Sequence, residues 1–321
     1  MSIAFIFPGQ GSQAVGMGAE LAKAYPSARA VFDEVDAALS QNLSRLMWEG
    51  PEAELTLTEN AQPALMAVSL AAMRVLGDKG LKLPAKVAYV AGHSLGEYSA
   101  LAAAGALSLA DTARLLKIRG RAMQEAVPVG EGAMAALLGA DLAQAQELAK
   151  VAAQGEVCEA ANDNAPGQVV ISGTGAALAN AEAPLRQAGA RRVISLAVSG
   201  PFHSPWMAEV CDDLAHAIDQ VAWHDADPPM ISNVTGEPVD DAGMIRALLA
   251  EQVRSPVEWV ASISWMVGNG VDSFIECGPG AALAGMVKRI APASRTLNVN
   301  DSATLDGAVA TVRALRVGTP A

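Results

Sequence analysis

Between an apolar run, Val87 to Ala91, and a stretch of small helix-forming residues, Leu95 to Ala104, stands Gly92-His93-Ser94-Leu95-Gly96. Few local sequences constrain a backbone so tightly. A strand that turns into a helix over so few residues forces the central serine into a strained, exposed position, and only glycine lets neighbouring backbone pass that close. The same turn sets Ser94 at a helix N-terminus, where the next amide, on Leu95, faces a developing oxyanion. It is the only GxSxG in the chain. With 29 glycines in 321 residues the pattern can also arise by accident, so the strand and helix on either side carry the weight.

The surrounding pattern places this elbow in an α/β fold. Ile3 to Phe7 is an apolar run stopped by Pro8-Gly9-Gln10-Gly11, which predicts a buried strand entering a glycine-rich loop. Ala61 to Leu76 has helical spacing, and Ser108 with Asp111 three residues on opens a helix running to about Glu125. Alternating strand, turn and helix predict a parallel sheet covered by helices. Further on, Met230 to Val234, Val271 to Cys277 and Arg295 to Val299 read as strands. Gly243 to Val253, Val257 to Asn269, a segment starting at Ser204-Pro205 and another after Gly278-Pro279-Gly280 read as helices, with a terminal helix last.

The middle of the chain departs from that alternation. Ala133 to Leu138, Glu156 to Ala160, Gln168 to Ser172 and Arg191 to Leu196 read as strands, with helices at Leu142 to Ala153 and Ala176 to Ala188. Asn162-Asp163-Asn164-Ala165-Pro166-Gly167 is dense in turn formers. The order β-α-β-β-α-β is that of a ferredoxin-like unit. The expected organisation is a small domain at 128–198 inserted into a hydrolase-like domain made of 1–127 and 199–321.

A serine needs a base at neutral pH, and the chain has four histidines. The side chain of His93 should point away from that of its neighbour Ser94. His216 lies in a helix of mixed character and His224 in a polar turn. His203, between Phe202 and Ser204 where the chain re-enters the large domain, is the best base by position. No carboxylate stands out as its orienting partner, and a backbone carbonyl serves as well. Pro8-Gly9-Gln10-Gly11-Ser12-Gln13 lacks the endings of phosphate and dinucleotide loops and suits an amide donor beside the elbow.

Composition narrows the partners. Twelve more acidic than basic residues give a net charge of −12, which argues against nucleic acid or an anionic membrane as the main partner. Cys158, Cys211 and Cys277 are far apart and form no metal-binding pair, as in a reduced, cytoplasmic protein. The first apolar run ends at Pro8, too short for a signal peptide, and no stretch is long enough to span a bilayer. Nothing in the pattern demands more than a monomer.

Several segments taken in order resemble the malonyl-CoA:acyl carrier protein transacylases and the related acyltransferase domains of polyketide synthases. They are Phe7-Pro8-Gly9-Gln10-Gly11-Ser12-Gln13, Gly92-His93-Ser94-Leu95-Gly96-Glu97-Tyr98, Arg119-Gly120-Arg121-Ala122-Met123, Gly200-Pro201-Phe202-His203-Ser204, Asn233-Val234-Thr235-Gly236 and Glu276-Cys277-Gly278-Pro279-Gly280. The resemblance implies Ser94 as nucleophile, His203 as general base and the backbone N–H groups of Gln10 and Leu95 as oxyanion hole. It implies that the main-chain carbonyl of Gln252 orients the base and that Arg119 takes the malonyl carboxylate. Composition alone does not choose Arg119 over Arg114, Lys117 or Arg121. Phe202 crowding a C2 methyl and Asn162 lining the pocket follow from the same likeness. So do malonyl-CoA and the phosphopantetheine arm of acyl carrier protein as partners, with no metal, ATP or redox cofactor. Lys288-Arg289 and Arg191-Arg192 are the candidates for docking an acidic carrier. A polyketide acyltransferase, an acyl-thioester hydrolase and a non-catalytic carrier-binding scaffold are the competing expectations.

Overall fold

The computed structural model describes residues 2–81, 87–128, 130–187, 192–196, 198 and 200–317. The chain begins with β1 (Ser2–Phe7), then α1 (Ala19–Ala24), α2 (Pro26–Leu39), α3 (Leu43–Glu49), α4 (Glu52–Leu55) and α5 (Thr58–Asp78). Next come β2 (Val87–Gly92), α6 (Gly96–Ala103) and α7 (Leu109–Glu125). The middle segment supplies β3 (Gly132–Leu138), α8 (Leu142–Ala153), β4 (Cys158–Ala165), β5 (Gln168–Thr174), α9 (Gly175–Gln187) and β6 (Arg192–Ser195). A 3-10 turn (Pro205–Met207) leads into α10 (Ala208–Asp219), β7 (Met230–Ile231), β8 (Pro238–Val239), α11 (Ala242–Gln252) and α12 (Trp259–Gly268). The chain closes with β9 (Val271–Cys277), α13 (Ala282–Ile290), β10 (Arg295–Val299) and α14 (Ser302–Val317).

Two sheets organise these elements. The larger has the order β10-β9-β1-β2-β7-β8 and is parallel except for the terminal β7–β8 hairpin. Period-two alternation along β1 fills both of its faces. Ile3, Phe5 and Phe7 join the core under α2, α5 and α7, while Ala4 and Ile6 pack with Trp259, Ile263 and Met266 of α12. The smaller sheet is antiparallel, in the order β4-β5-β3-β6, and α8 and α9 cover one face through Ala135, Leu137, Val169 and Ile171. The mixed α/β expectation, a parallel core with a β-α-β-β-α-β unit, holds.

Three local expectations differ. The residues read as a turn, Asn162 to Ala165, belong to β4, and only Pro166-Gly167 forms the turn. Ala161 is an extra residue in the β4–β5 ladder, since Ala160 pairs with Ile171 and Asn162 with Val170. That bulge shifts the parity of the strand. Cys158 and Ala160 enter the small core, whereas Asn162 and Asn164 line the cavity on the opposite face. Main-chain bonds from Val257 to Ala161 and from Asp163 to Val257, at 2.9 and 3.0 Å, stitch β4 to the larger part. The strand expected through Val234 stops at Ile231, because Ser232 and Gly236 close a turn. Ser204-Pro205 opens a 3-10 turn that leads into α10, and the Ser204 hydroxyl donates to the Pro201 carbonyl instead of accepting from the turn. Helices α1 to α4 carry no assignment from the sequence pattern. The expected helix end at Ala188 and strand start at Arg191 lie outside the described residues.

Candidate active site

The elbow is built by close approach. Phe7 pairs with Gly92 in the β1–β2 ladder, and the His93 N–H donates to the Phe7 carbonyl at 3.0 Å. A Cβ on Gly92 would stand 1.9 Å from the Gly96 carbonyl, and one on Gly96 would stand 2.3 Å from the Phe7 oxygen. Real Cβ atoms do not approach backbone that closely, so both positions require glycine. Ser94 between them has φ +53°, in the left-handed region that a serine occupies only when its surroundings hold it there. Asn233 supplies part of that hold: its Oδ1 accepts from the Ser94 N–H at 2.7 Å and its Nδ2 donates to the Gly92 carbonyl at 2.6 Å.

His203 comes from 109 residues further along, and its Nε2 lies 2.8 Å from Ser94 Oγ. Its Nδ1 faces two carbonyl oxygens, of Gln252 at 3.0 Å and Ser255 at 3.1 Å. Carbonyls only accept, so Nδ1 carries the hydrogen and Nε2 presents a lone pair to the serine. Gln252 is the last residue of α11, where helix geometry leaves carbonyls without intrahelical partners. The negative end of the helix dipole favours a cation there, a role otherwise given to a carboxylate. Burial, the Arg119 charge and His93 push the His203 pKa down to about 3, against the partial support of the two carbonyls. The ring is neutral at physiological pH.

Arg119 lies on the inward stripe of α7 with Leu115, Leu116 and Met123, and it is fully buried. Gly120 beside it lets the helix press on the start of α5; a Cβ there would meet the Thr58 carbonyl at 2.6 Å. The guanidinium donates to Gln62 Oε1 at 2.9 Å, Gln252 Oε1 at 2.8 Å and Ser94 Oγ at 3.1 Å, and its Nε has no partner among the described residues. Burial lowers its pKa, while Tyr98 and Glu97 raise it. The three competing cations face elsewhere: Arg114 pairs with Asp111, and Lys117 and Arg121 with Glu59. Burial thus singles out Arg119 where composition does not.

Ser94, His203, Phe202, Gln10 and Gln62 share a cavity of about 220 Å³ with Met134, Val170, Asn162 and Asn164 of the small sheet. Among the described residues, the N–H groups of Gln10 and Leu95 have no protein acceptor. Leu95 stands at the N-cap of α6, at the positive end of its dipole. His93 also lines the cavity; its Nε2 lies 2.7 Å from Asn164 Oδ1, and its ring meets Trp259 edge-on. Burial lowers its pKa. His216 and His224 are exposed. Gln62, Asn164, Asn233 and the side chain of Gln252 gave no individual signal in the sequence, although Asn233 lies in one of the motifs that carry the resemblance. No group of three His, Cys, Asp or Glu side chains among the described residues is placed to hold a metal ion, and no described helix is long and apolar enough to cross a membrane.

Fold and site together define an α/β enzyme of acyl transfer. The acyl transferase domain model matches residues 4–308, and the chain belongs to that family. The malonyl CoA-acyl carrier protein transacylase of Bacillus subtilis is 45% identical over 312 residues, 97% of each chain. A crystal structure of the acyl-carrier-protein-S-malonyltransferase of Bartonella henselae is 47% identical and superposes with a TM-score of 0.95, covering 98% of this chain and 100% of that one. A malonyl-transacylase solved in complex with a type II polyketide acyl-carrier protein is 40% identical, with a TM-score of 0.94 over 97% of this chain and 100% of that one.

Proposed function

We propose that this enzyme transfers the malonyl group of malonyl-CoA to the phosphopantetheine thiol of acyl carrier protein by a ping-pong route. One observation carries the substrate assignment. A fully buried guanidinium, with no carboxylate in salt-bridge contact among the described residues, donates to the hydroxyl that meets the imidazole. An unpaired buried cation is costly, and an anionic acyl group supplies its missing partner. A carboxylate accepts two parallel bonds from a guanidinium, whereas an acetyl group leaves the cation unmatched. Phe202 beside the base crowds a C2 branch.

In the first half-reaction His203 Nε2 takes the Ser94 proton as Oγ attacks the thioester carbonyl. The N–H groups of Gln10 and Leu95 hold the oxyanion. The C–S bond breaks, coenzyme A leaves with the proton from His203, and malonyl-serine remains. The carrier thiol then gives its proton to His203 and attacks the ester, and the proton returns to Ser94 as the new thioester forms. One thioester replaces another, so no ATP, metal or redox step is needed. The reading places the chemistry between a domain of 1–127 and 199–321 and a small domain of 128–198. In this reading the enzyme works as a cytoplasmic monomer. A polyketide carrier is the second reading, favoured by the 40% identical transacylase solved with such a partner.

Intact-mass spectrometry tests this. Mixed with malonyl-CoA, the protein should gain one malonyl group on Ser94 and keep it until a holo-carrier is added. Rapid loss without carrier would mean a hydrolase, and no gain in mass would mean a scaffold. Competing fatty-acid and polyketide carriers in one reaction ranks the two readings.

A further inference from the structure

Glu97 follows the elbow in the first turn of α6 and is fully buried. An acidic residue there is ordinarily explained by the helix dipole. Both of its oxygens instead accept from outside the helix. Oε1 takes the main-chain N–H of Asn233 and Oε2 the side-chain amide of Gln252, each at 2.5 Å. These two partners are the residues that hold the reacting groups. Asn233 grips the Ser94 N–H and the Gly92 carbonyl. Gln252 donates to the Ser94 carbonyl at 2.8 Å and accepts from Arg119 through its side chain, while its main-chain carbonyl holds His203.

The amide of Gln252 has only one orientation that fits. Its nitrogen must face the acceptors Glu97 and Ser94 O, and its oxygen must face the donor Arg119. The Glu97 carboxyl enforces that orientation, because both of its oxygens accept N–H groups here, and a flipped amide would set Gln252 Oε1 against Glu97 Oε2 and its nitrogen against the Arg119 guanidinium. Burial pushes the Glu97 carboxyl up to about 8, against the pull of its two N–H donors and Arg119.

We propose that Glu97 is a positioning residue: a buried carboxyl group that ties the serine elbow, through Asn233, to the base and the substrate-binding cation, through Gln252. It touches neither substrate nor reacting atoms. The proposal rests on the serine acyl-transfer reading given above. It explains why an acid belongs to this site although none orients the imidazole directly.

A double-mutant cycle tests it. Glu97→Gln keeps the shape but turns an amide toward two donors, and Gln252→Ala removes one arm while leaving the main-chain carbonyl on His203. Each single variant should lower kcat/KM for malonyl-CoA by about 30-fold or more and narrow the preference for malonyl over acetyl. The double variant should lie within about twofold of the worse single, since both break one linkage. A merely structural role would lower folded yield, leave the acyl preference unchanged and give losses that multiply. Multiplying losses, or an unchanged preference per folded molecule, overturns the proposal. Should Glu97→Gln not fold, Glu97→Asp must show the same narrowed preference, and full wild-type selectivity in it overturns the proposal too. Wild-type enzyme that forms no ester on Ser94 would sink the serine reading itself; wild type that forms it, with variants that match it, sinks only the role of Glu97.

Discussion

Arg119 Nη2 lies 3.1 Å from Ser94 Oγ, so the hydroxyl that donates to His203 also accepts from a buried guanidinium. The contact serves two ends. It lowers the energy of the forming alkoxide, and it fixes the cation where an acyl carboxylate on the serine will lie. Arg119→Ala should therefore cut kcat/KM for malonyl-CoA by about a hundredfold to a thousandfold, the order for a lost buried charge-assisted pair. Turnover of acetyl-CoA should fall much less. Initial rates with the two thioesters check this, and an unchanged ratio would remove Arg119 from substrate selection.

The same charge depresses the base. His203 is held down to about 3 first by burial and then by Arg119, so in the free enzyme the lone pair of Nε2 is available far below the usual histidine range. The pH profile of kcat/KM reports the free enzyme, and it should stay flat from about pH 7, below the titration of Glu97, down to about 5 instead of falling near 6.5. An acid limb centred at 6 to 7 would contradict the buried, neutral ring.

Stability carries the same signature with a definite sign. The pKa of His203 is lower in the folded state, so its contribution is fully present above about 6.5 and is lost as pH falls toward about 3. Within that window it changes by roughly 1.4 kcal/mol per pH unit. Glu97, raised to about 8, acts in the opposite sense as pH rises, so the wild-type slope alone mixes the two. Urea midpoints of wild type and His203→Gln between pH 7.5 and 4.5 separate them. The difference between the two proteins should hold constant above about 6.5 and shift steadily below it, and curves parallel down to pH 4.5 would disprove the assignment.

The strands and the elbow were legible because their signals are local. Phe7, Gly92, Ser94 and Gly96 are forced by backbone geometry that three or four residues specify. The misread segment shows where that logic ends. Asn162, Asp163 and Asn164 have the composition of a turn, yet the ladder with β5 and the bonds to Val257 hold them extended. Tertiary pairing overrides their local preference. Gln62 and the amide of Gln252 were invisible for a related reason. A glutamine looks like any solvated polar residue until the guanidinium it meets, 57 or 133 positions from it, is brought alongside.

Glycine substitutions separate positions that geometry requires from positions that are merely tolerant. Gly96→Ala sets a Cβ 2.3 Å from the Phe7 carbonyl, and Phe7 is pinned by its pairing with Gly92 in the sheet while Gly96 is fixed as the first residue of α6. It should abolish acylation of Ser94 and lower the melting temperature markedly. Gly77 in α5 and Gly285 in α13 are helical, and a Cβ added at either would meet nothing within 4 Å. Alanine at either should leave activity intact and stabilise by about 0.5–1 kcal/mol. Thermal melts and mass-based acylation assays check both sets, and an active Gly96→Ala would refute the elbow argument.

Arg289 is committed within the molecule: its guanidinium donates to Gln168 at 2.7 Å and to the Pro166 carbonyl, fastening α13 to the β4–β5 turn. Lys288 next to it is exposed, and Arg191 lies outside the described residues. Of the Lys288-Arg289 pair, Lys288 is therefore the better partner for an acidic carrier. Lys288→Glu should raise the carrier's KM severalfold at low salt, with the gap closing as ionic strength rises, because exposed pairs are weak and screened. Arg289→Gln should instead lower the melting temperature and leave the salt slope of the carrier step unchanged. Hydrolysis of a small neutral ester on Ser94 supplies the reference, since it involves no carrier and should respond little to salt. If both variants change the salt slope equally, the division of labour between these two cations is wrong.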